Sequence, residues 1–196
     1  MFNDSPHFEV HDDYYTPKSA WAQINHLLPK DKVIWEACCL NSHQSLSPDN
    51  LEALGNNVVY DKKMDCLKNQ PEEWDMIVTN PPYDKNIKIP VLKRFVKLDK
   101  PFILIMNITN TFTKYFREIF AGNLQHLQVI TPDDKIHFAR LNEDGSLSYK
   151  KNTSFYCCYV CYKCNIDTEN LWITTPKKGK EINYTPDLNK MFRSPY

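Results

Sequence analysis

The stretch "WDMIVTNPPYDK" (residues 74–85) joins a short apolar segment to residues that could do chemistry. Its "MIV" segment predicts a buried strand, and Pro81 and Pro82 must end that strand because neither ring can donate to a sheet ladder. Asn80 and Tyr83 are therefore expected on a stiff loop just beyond the strand's carboxyl end. In open parallel α/β sheets, this edge is where ligands bind.

The chemistry predicted for this loop is activation of a planar amine. The side-chain oxygen of Asn80 and the backbone carbonyl of Pro81 are hydrogen-bond acceptors, and the double proline fixes the backbone that carries them. An amine conjugated to a ring, such as N6 of adenine, is a poor nucleophile until acceptors draw its hydrogens and lone pair out of conjugation. Tyr83 adds a flat face on which a base rotated out of a duplex could stack. The alternative is a simple turn, since Asn-Pro and Pro-Pro are common turn formers; the position directly after a strand favours a functional site.

The elements around this loop predict an α/β fold with a mostly parallel sheet. Apolar strand-like runs alternate with helical patterns, as expected for strands joined by crossover helices. The continuous apolar run at residues 102–106 predicts a strand that is buried on both faces. Strands are predicted at residues 33–35, 57–61, 75–80, 101–107, 127–131 and 136–140, and helices at residues 47–54, 90–98 and 114–120.

The C-terminal third predicts a hairpin followed by a tail. Residues 141–163 indicate two antiparallel strands with a turn at Asp144-Gly145, placed at the edge of the sheet. We expect one domain over residues 1–164 and a polar tail over residues 165–196, docked through Leu171-Trp172-Ile173.

Composition restricts the class of protein. The chain has 196 residues, 42% of them hydrophobic, which suits one globular domain with a full core. No apolar run approaches membrane-spanning length and the acidic N-terminus does not resemble a signal peptide, so a cytoplasmic location without membrane contact is expected. The formal net charge of zero argues against a strong, purely electrostatic grip on nucleic acid.

The cysteines predict reduced thiols and no metal site. Their number, seven, is odd, and a disulfide framework is not favoured. Cys158, Cys161 and Cys164 lie at a spacing of three in a strand-like segment, where neighbours in that series point to opposite faces and cannot converge on a metal.

The segments "DDYYTPKSAW", "VIWEACCLNS", "NVVYDKKMD", "TNPPY" and "KPFILIMN" occur in an order that resembles the N6-adenine DNA methyltransferases. The resemblance covers about Asp12 to Phe138 and is to the small single-domain versions carried by phages and large DNA viruses. It implies a Rossmann-like methyltransferase fold with a seven-stranded sheet. It also implies S-adenosylmethionine as cofactor and DNA as partner, with the target adenine flipped out or single-stranded.

The resemblance also implies roles for particular residues. Asn80, Pro81, Pro82 and Tyr83 would form the catalytic motif. Six further residues would line the donor pocket or lie beside it: Tyr15, Thr16, Pro17, Glu36, Asp61 and Asp65. Each acidic residue alone also suits a structural role, as a helix cap or a turn residue.

One departure from the family pattern keeps other functions open. Relatives carry a Gly-x-Gly loop after the first strand, whereas this chain has Leu40-Asn41-Ser42 there and no glycine from Val33 to Leu54. A second hypothesis is therefore a non-catalytic or partner-dependent methyltransferase-like subunit, acting with another protein or with copies of itself. A third is the same chemistry on RNA adenine or on a protein glutamine amide.

Overall fold

The computed structural model describes residues 15–39, 46–132, 134–141, 147–149, 155–166 and 172–173. Within these ranges the helices are α1 (Lys18–Ile24), α2 (Ser47–Glu52), α3 (Lys85–Leu98) and α4 (Lys114–Ile119), with short 3-10 helices at Asn25–Leu27, Ile108–Phe112 and Leu124–His126. The strands are β1 (Val33–Trp35), β2 (Asn57–Val59), β3 (Met76–Thr79), β4 (Phe102–Asn107), β5 (Leu127–Pro132), β6 (Ala139–Leu141), β7 (Leu147–Tyr149), β8 (Cys157–Tyr162) and β9 (Trp172–Ile173).

Six strands form the main sheet, in the order β2-β1-β3-β4-β8-β5. β1 pairs in parallel with β2 and β3, and β3 pairs in parallel with β4. β8 is antiparallel to both of its neighbours, β4 and β5. The two-residue strand β9 pairs in parallel with the end of β5 and extends the order to a seventh position.

The predicted α/β class is confirmed, but the detailed sheet prediction is wrong in two respects. The main sheet has six strands plus a two-residue extension, and two of its ladders are antiparallel. The antiparallel strand β8 lies inside the sheet, whereas the prediction put it in a hairpin at the edge. β6 and β7 do pair as a hairpin, but they form a separate two-stranded sheet, and their predicted turn at Asp144-Gly145 lies outside the described residues.

The strand β8 took this position because its whole segment is apolar. All six of its residues are buried, so it needs a partner strand on each side and a helix layer or a loop on each face. The predicted domain boundary at residue 164 stays a prediction. Beyond it, the backbone pairing of Trp172–Ile173 with Thr131 and Pro132 is the part of the tail that the structure describes as sheet.

The core lies on both faces of the sheet, as the sequence pattern predicted. On β4, Ile103 and Ile105 belong to one hydrophobic cluster, together with Trp21 of α1 and Leu51 of α2. The alternate residues Phe102, Leu104 and Met106 belong to the other cluster, together with residues of α3 and α4. β4 is thus buried on both sides, which fixes its position in the middle of the molecule.

The helix α3 begins earlier than predicted. The sequence placed its start at Pro90, because proline favours the first turn of a helix. The structure starts it at Lys85, since the Asp84 side chain caps the helix by accepting from the backbone N–H of Asn86 at 2.8 Å. The helix therefore follows the Asn-Pro-Pro-Tyr loop almost directly.

Candidate active site at the carboxyl edge of the sheet

The carboxyl ends of β1 and β3 bring two polar side chains together. Glu36 follows β1 and Thr79 ends β3, and the hydroxyl of Thr79 donates to Glu36 Oε1 at 2.5 Å. Both side chains are buried, with 2% and 0% of their surfaces exposed. The other carboxylate oxygen, Glu36 Oε2, is also buried and has no hydrogen-bond partner among the residues that the structure describes.

Burial dominates the electrostatics of Glu36. Removal from water raises the pKa of its carboxyl to about 7, and the hydrogen bond from Thr79, with weaker contacts from the Cys39 thiol and the Cys38 backbone, offsets only part of that shift. An unpartnered acceptor in such a place is costly unless a ligand supplies the missing donor. Glu36 is therefore the best-placed residue of the β1 end to receive a hydrogen-bond donor from a bound molecule.

Asn80 lies one residue beyond β3 and is held by the segment that precedes α1. Its amide nitrogen Nδ2 donates to the hydroxyl oxygen of Thr16 at 3.2 Å, and Thr16 is 3% exposed. Its amide oxygen Oδ1 is buried and has no hydrogen-bond partner among the described residues. Because Thr16 takes up the nitrogen end, the oxygen is presented as a free acceptor.

The segment from Tyr15 to Pro17 is fixed in place by distant parts of the chain. The backbone N–H and carbonyl of Tyr15 bond to Ala139 at 2.9 and 3.0 Å. The Asn50 amide donates to the Thr16 carbonyl at 3.0 Å, and Pro17 caps α1. The three residues predicted from the N-terminal segment are all buried and lie next to the Asn80 loop.

The rest of the Asn-Pro-Pro-Tyr loop is packed more tightly than the sequence suggested. Pro81 is buried, whereas Pro82 and Tyr83 are half-buried. The Tyr83 ring lies 5.3 Å from the Phe155 ring and 6.3 Å from the Phe138 ring, measured between centroids. Its hydroxyl is 3.6 Å from the sulfur of Cys157. Tyr83 is thus part of an aromatic group and does not stand alone on the loop.

The two remaining acidic residues are committed to local turns. Asp61 is exposed and accepts from the backbone N–H of Lys63 at 2.8 Å. Asp65 accepts from the backbone N–H of Leu67 at 3.0 Å and lies 3.1 Å from the ammonium of Lys68. These two interactions, with the Leu67 bond the larger, lower the pKa of Asp65. Neither carboxylate joins the group formed by Glu36 and Asn80, so their donor roles stay predictions.

Sequence reasoning missed several residues that shape the site. Thr79 lies inside the predicted strand 75–80 and was assigned no role of its own, although a polar side chain at the end of an apolar run is a usable signal. Lys88, 8% exposed, donates from Nζ to the Tyr83 carbonyl at 3.2 Å and so ties the loop to α3. Cys157 and Phe138 come from distant segments, and no local pattern points to them.

The cysteine prediction agrees with the packing of β8. Cys161 belongs to one hydrophobic cluster and Cys158 to the other, so they face opposite sides of the sheet. Across the described ranges, no group of three or more histidine, cysteine, aspartate or glutamate side chains is arranged to hold a metal ion. The glycine-free loop at Leu40-Asn41-Ser42 lies outside the described residues.

The two buried acceptors define what the site can do. Glu36 Oε2 and Asn80 Oδ1 lie at the carboxyl ends of the neighbouring parallel strands β1 and β3, and each side chain is held by a different threonine. Such an arrangement can hold two different donor groups, one at each oxygen. That is suited to bringing two molecules together at the edge of a sheet.

Comparison with known proteins supports the fold. No family model matches the sequence, and no curated protein matches it in sequence. A protein of Listeria monocytogenes assigned to the class I S-adenosylmethionine-dependent methyltransferases has a similar structure, with a TM-score of 0.51, 13% identity and coverage of 88% of this chain and 69% of that one. The chain therefore has the fold of S-adenosylmethionine-dependent methyltransferases.

Further solved structures are similar at a lower level. The methyltransferase subunit of a type I restriction-modification system from Streptococcus thermophilus aligns with a TM-score of 0.47 and 13% identity, over 83% of this chain and 47% of that one. A precorrin-6y C5,15-methyltransferase from Geobacter metallireducens aligns with a TM-score of 0.39 and 16% identity, over 78% of this chain and 96% of that one. In the part of the chain that the structure describes, no helix is long and apolar enough to span a membrane.

Proposed function

We propose that this protein transfers a methyl group from S-adenosylmethionine to the exocyclic N6 of adenine in DNA. The observation that carries the proposal is the buried Oδ1 of Asn80, which has no hydrogen-bond partner in the described part of the chain and whose orientation follows from the bond between Nδ2 and Thr16. A free acceptor at this place suits an amine that must give up its hydrogens to become nucleophilic.

The residues present fit the cofactor that the fold implies. Glu36 offers an orphaned acceptor at the end of β1, which suits the hydrogen-bond donors of a bound S-adenosylmethionine. When bound, this cofactor supplies a methyl group on a positively charged sulfur. Tyr15, Thr16 and Pro17 form a buried wall beside the acceptor of Asn80 and would help to exclude water from it.

The chain's own residues act mainly by positioning. Thr16 fixes the Asn80 amide so that its oxygen accepts a hydrogen from the target nitrogen, and the two prolines stiffen the backbone that carries it. Lys88 fixes the far end of the loop through the Tyr83 carbonyl. Once the nitrogen is methylated its extra proton is acidic, so it can pass to solvent and no general base is required.

Adenine in DNA is preferred over other planar amines on the basis of the sequence segments that resemble the viral enzymes. RNA adenine and protein glutamine present the same kind of amine, and the Asn80 acceptor alone does not distinguish them. The experiment should therefore offer matched DNA and RNA oligonucleotides and a glutamine peptide side by side, with radiolabelled S-adenosylmethionine.

The decisive variant is Asn80→Ala. We expect it to fold and to bind S-adenosylmethionine as the wild type does, while methyl transfer to DNA falls by about two orders of magnitude or more. Asn80→Asp is the matched control, because it keeps an acceptor oxygen and can take a hydrogen bond from the Thr16 hydroxyl. It should retain more activity than Asn80→Ala. Unchanged transfer by Asn80→Ala would remove Asn80 from the catalytic role.

A second candidate function is a methyltransferase-like subunit without activity of its own. The observation that favours it is the absence of glycine from Val33 to Leu54, where the donor would approach the backbone. Calorimetry with S-adenosylmethionine separates the two proposals. Binding supports the enzyme, whereas the lack of binding at millimolar cofactor supports the subunit.

A further inference from the structure

Two aromatic side chains are strongly exposed beside the candidate active site. Phe112 is 78% exposed and Tyr156 is 66% exposed, which makes them the most exposed large hydrophobic residues of the described part of the chain. Their neighbours Phe116 and Cys157 are buried, so the local core is closed without these two rings. Exposed apolar side chains point to an interaction site where they lie together on one part of the surface.

Backbone contacts bring the two residues to the same edge of the sheet. Phe112 ends the 3-10 helix Ile108–Phe112, which follows the carboxyl end of β4. Tyr156 directly precedes β8, and its carbonyl accepts from the backbone N–H of Ile108 at 2.9 Å. This is the edge at which the Asn-Pro-Pro-Tyr loop lies, since β3 and β4 are parallel neighbours.

A second contact ties Tyr156 to the catalytic loop. Cys157, the next residue in the chain, lies 3.6 Å from the Tyr83 hydroxyl through its sulfur. A molecule whose base reaches Asn80 past Tyr83 would therefore pass Tyr156 as it leaves the site.

Basic side chains accompany these rings. The ammonium of Lys135 lies 4.6 Å from the centroid of the Tyr156 ring. On the other side, the ammonium of Lys85 lies 5.8 Å from the centroid of the Tyr115 ring, three residues after Phe112. Aromatic faces beside cations suit a nucleic-acid strand, which carries both flat bases and negatively charged phosphates.

We propose that Phe112 and Tyr156 form a stacking platform for the nucleotides that flank the target base in single-stranded nucleic acid. The inference rests on the proposed function, because the target base would occupy the Asn80 site while its neighbours lie on the platform. Stacking on aromatic faces is tolerant of base identity, and Lys135 and Lys85 supply contacts to phosphate. Because the protein has zero net charge, electrostatics alone gives it little affinity for nucleic acid, and stacking would supply the rest.

The test measures binding without methyl transfer. A fluorescein-labelled oligonucleotide made only of thymidine has no target base, so its anisotropy reports the platform alone. We expect the double variant Phe112→Ala, Tyr156→Ala to bind it about tenfold or more weakly than the wild type, and each single variant to bind about threefold more weakly. Lys135→Gln should reduce the slope of log affinity against log salt by about one.

The matched control is Leu124→Ala. Leu124 is also exposed, at 55%, but it precedes β5 at the opposite edge of the sheet, where Leu127 pairs with Tyr162 and Tyr162 pairs with Phe102. Its removal should leave binding unchanged. Because all these side chains are exposed, the variants should unfold at the same temperature as the wild type. If the double variant does not fold, the binding of the thymidine oligonucleotide by the two single variants tests the platform.

The outcomes are distinct from those of the proposed function. Platform-dependent binding together with no methylation of adenine-containing DNA keeps the platform and overturns the proposed function. Thymidine binding that is absent, or equal in wild type and variants, overturns the platform. Sedimentation that shows a wild-type dimer and a monomeric double variant also overturns it, in favour of a contact between copies of this chain.

Discussion

At the scale of single residues, the site is defined by two oxygens that lack hydrogen-bond partners among the described residues. Glu36 Oε2 and Asn80 Oδ1 are buried acceptors, and the protein satisfies the other polar atom of each side chain through Thr79 and Thr16. By bonding to Glu36 Oε1 and Asn80 Nδ2, the two threonines leave Glu36 Oε2 and Asn80 Oδ1 for a ligand. Leaving two such groups unsatisfied lowers stability, and this is a known cost of preformed binding sites.

The Glu36 carboxyl should make stability depend on pH in a defined window. Its folded-state pKa of about 7 lies above the value of 4.5 for an exposed glutamate, so the folded state binds the extra proton between these values. The contribution of Glu36 to stability is therefore present in full below about pH 4.5 and is lost as the pH rises through 7, amounting to roughly 3 kcal/mol. Glu36→Gln has no such proton. The free energy of unfolding of this variant, relative to that of the wild type, should therefore increase between pH 5 and 8. Urea unfolding at intervals of about one pH unit measures it.

A difference in unfolding free energy that stays constant over this range would mean that Glu36 is solvated or has a partner. Thr79→Val separates these explanations. Without the hydroxyl the pKa of Glu36 should rise further, which moves the loss of stability to higher pH.

At the scale of elements, the start of α3 sets the geometry of the Asn-Pro-Pro-Tyr loop. Asp84 caps the helix one residue after Tyr83, and Lys88 in its first turns holds the Tyr83 carbonyl. The loop between β3 and α3 is therefore only five residues long and is anchored at both ends. Pro90 lies inside this helix and removes one helical hydrogen bond, which makes the helix more dependent on its cap.

Removing the cap should affect both stability and activity. Asp84→Ala is expected to lower the free energy of unfolding by about 1 kcal/mol, because the Asn86 N–H loses its acceptor. Methyl transfer should fall as well, since the loop loses one anchor. Asp84→Ser keeps a capping oxygen and should restore both quantities. Loss of stability in Asp84→Ala with full activity would show that the loop holds its shape without the helix.

At the scale of the whole molecule, two lysines of the basic stretch from Lys85 to Lys100 are engaged within the protein. Lys88 is buried against Tyr83, and Lys100 donates to the Trp74 carbonyl and lies 4.2 Å from the centroid of the Trp74 ring. With zero net charge and these two lysines engaged, we expect the molecule to gain little electrostatic affinity from the phosphates of a duplex.

Single-stranded or mismatched adenine should therefore be methylated faster than paired adenine. Extruding a base from a duplex costs a few kcal/mol, and weak phosphate contacts cannot offset it. The measurement compares initial rates on matched single-stranded and duplex oligonucleotides at low and moderate salt, with Tyr83→Ala in parallel. The duplex rate should fall more steeply with salt. A duplex preference that persists at moderate salt would point to a recognition surface or a partner that the described residues do not include.

The sequence by itself determined several strands and the place of the Asn-Pro-Pro-Tyr loop. β1 was predicted with its observed bounds, and the apolar run of β4 predicted a strand buried on both faces. The prolines after β3 placed Asn80 at the carboxyl edge of the sheet. The spacing of Cys158 and Cys161 predicted their opposite faces. These features follow from local periodicity and backbone chemistry, which a short window of sequence contains.

Only the tertiary structure decided which side chains meet. Thr79 forms a hydrogen bond with Glu36, which is 43 positions away in the sequence, and Asn80 forms one with Thr16, which is 64 positions away. The tertiary structure also decided the position of β8, which lies between β4 and β5 although the sequence predicted a hairpin at the edge. Asp61 and Asp65 matched a family pattern in sequence, yet local turns hold both of them. Strand order and side-chain partners depend on the burial of surfaces that are far apart in the chain, and no local pattern carries that information.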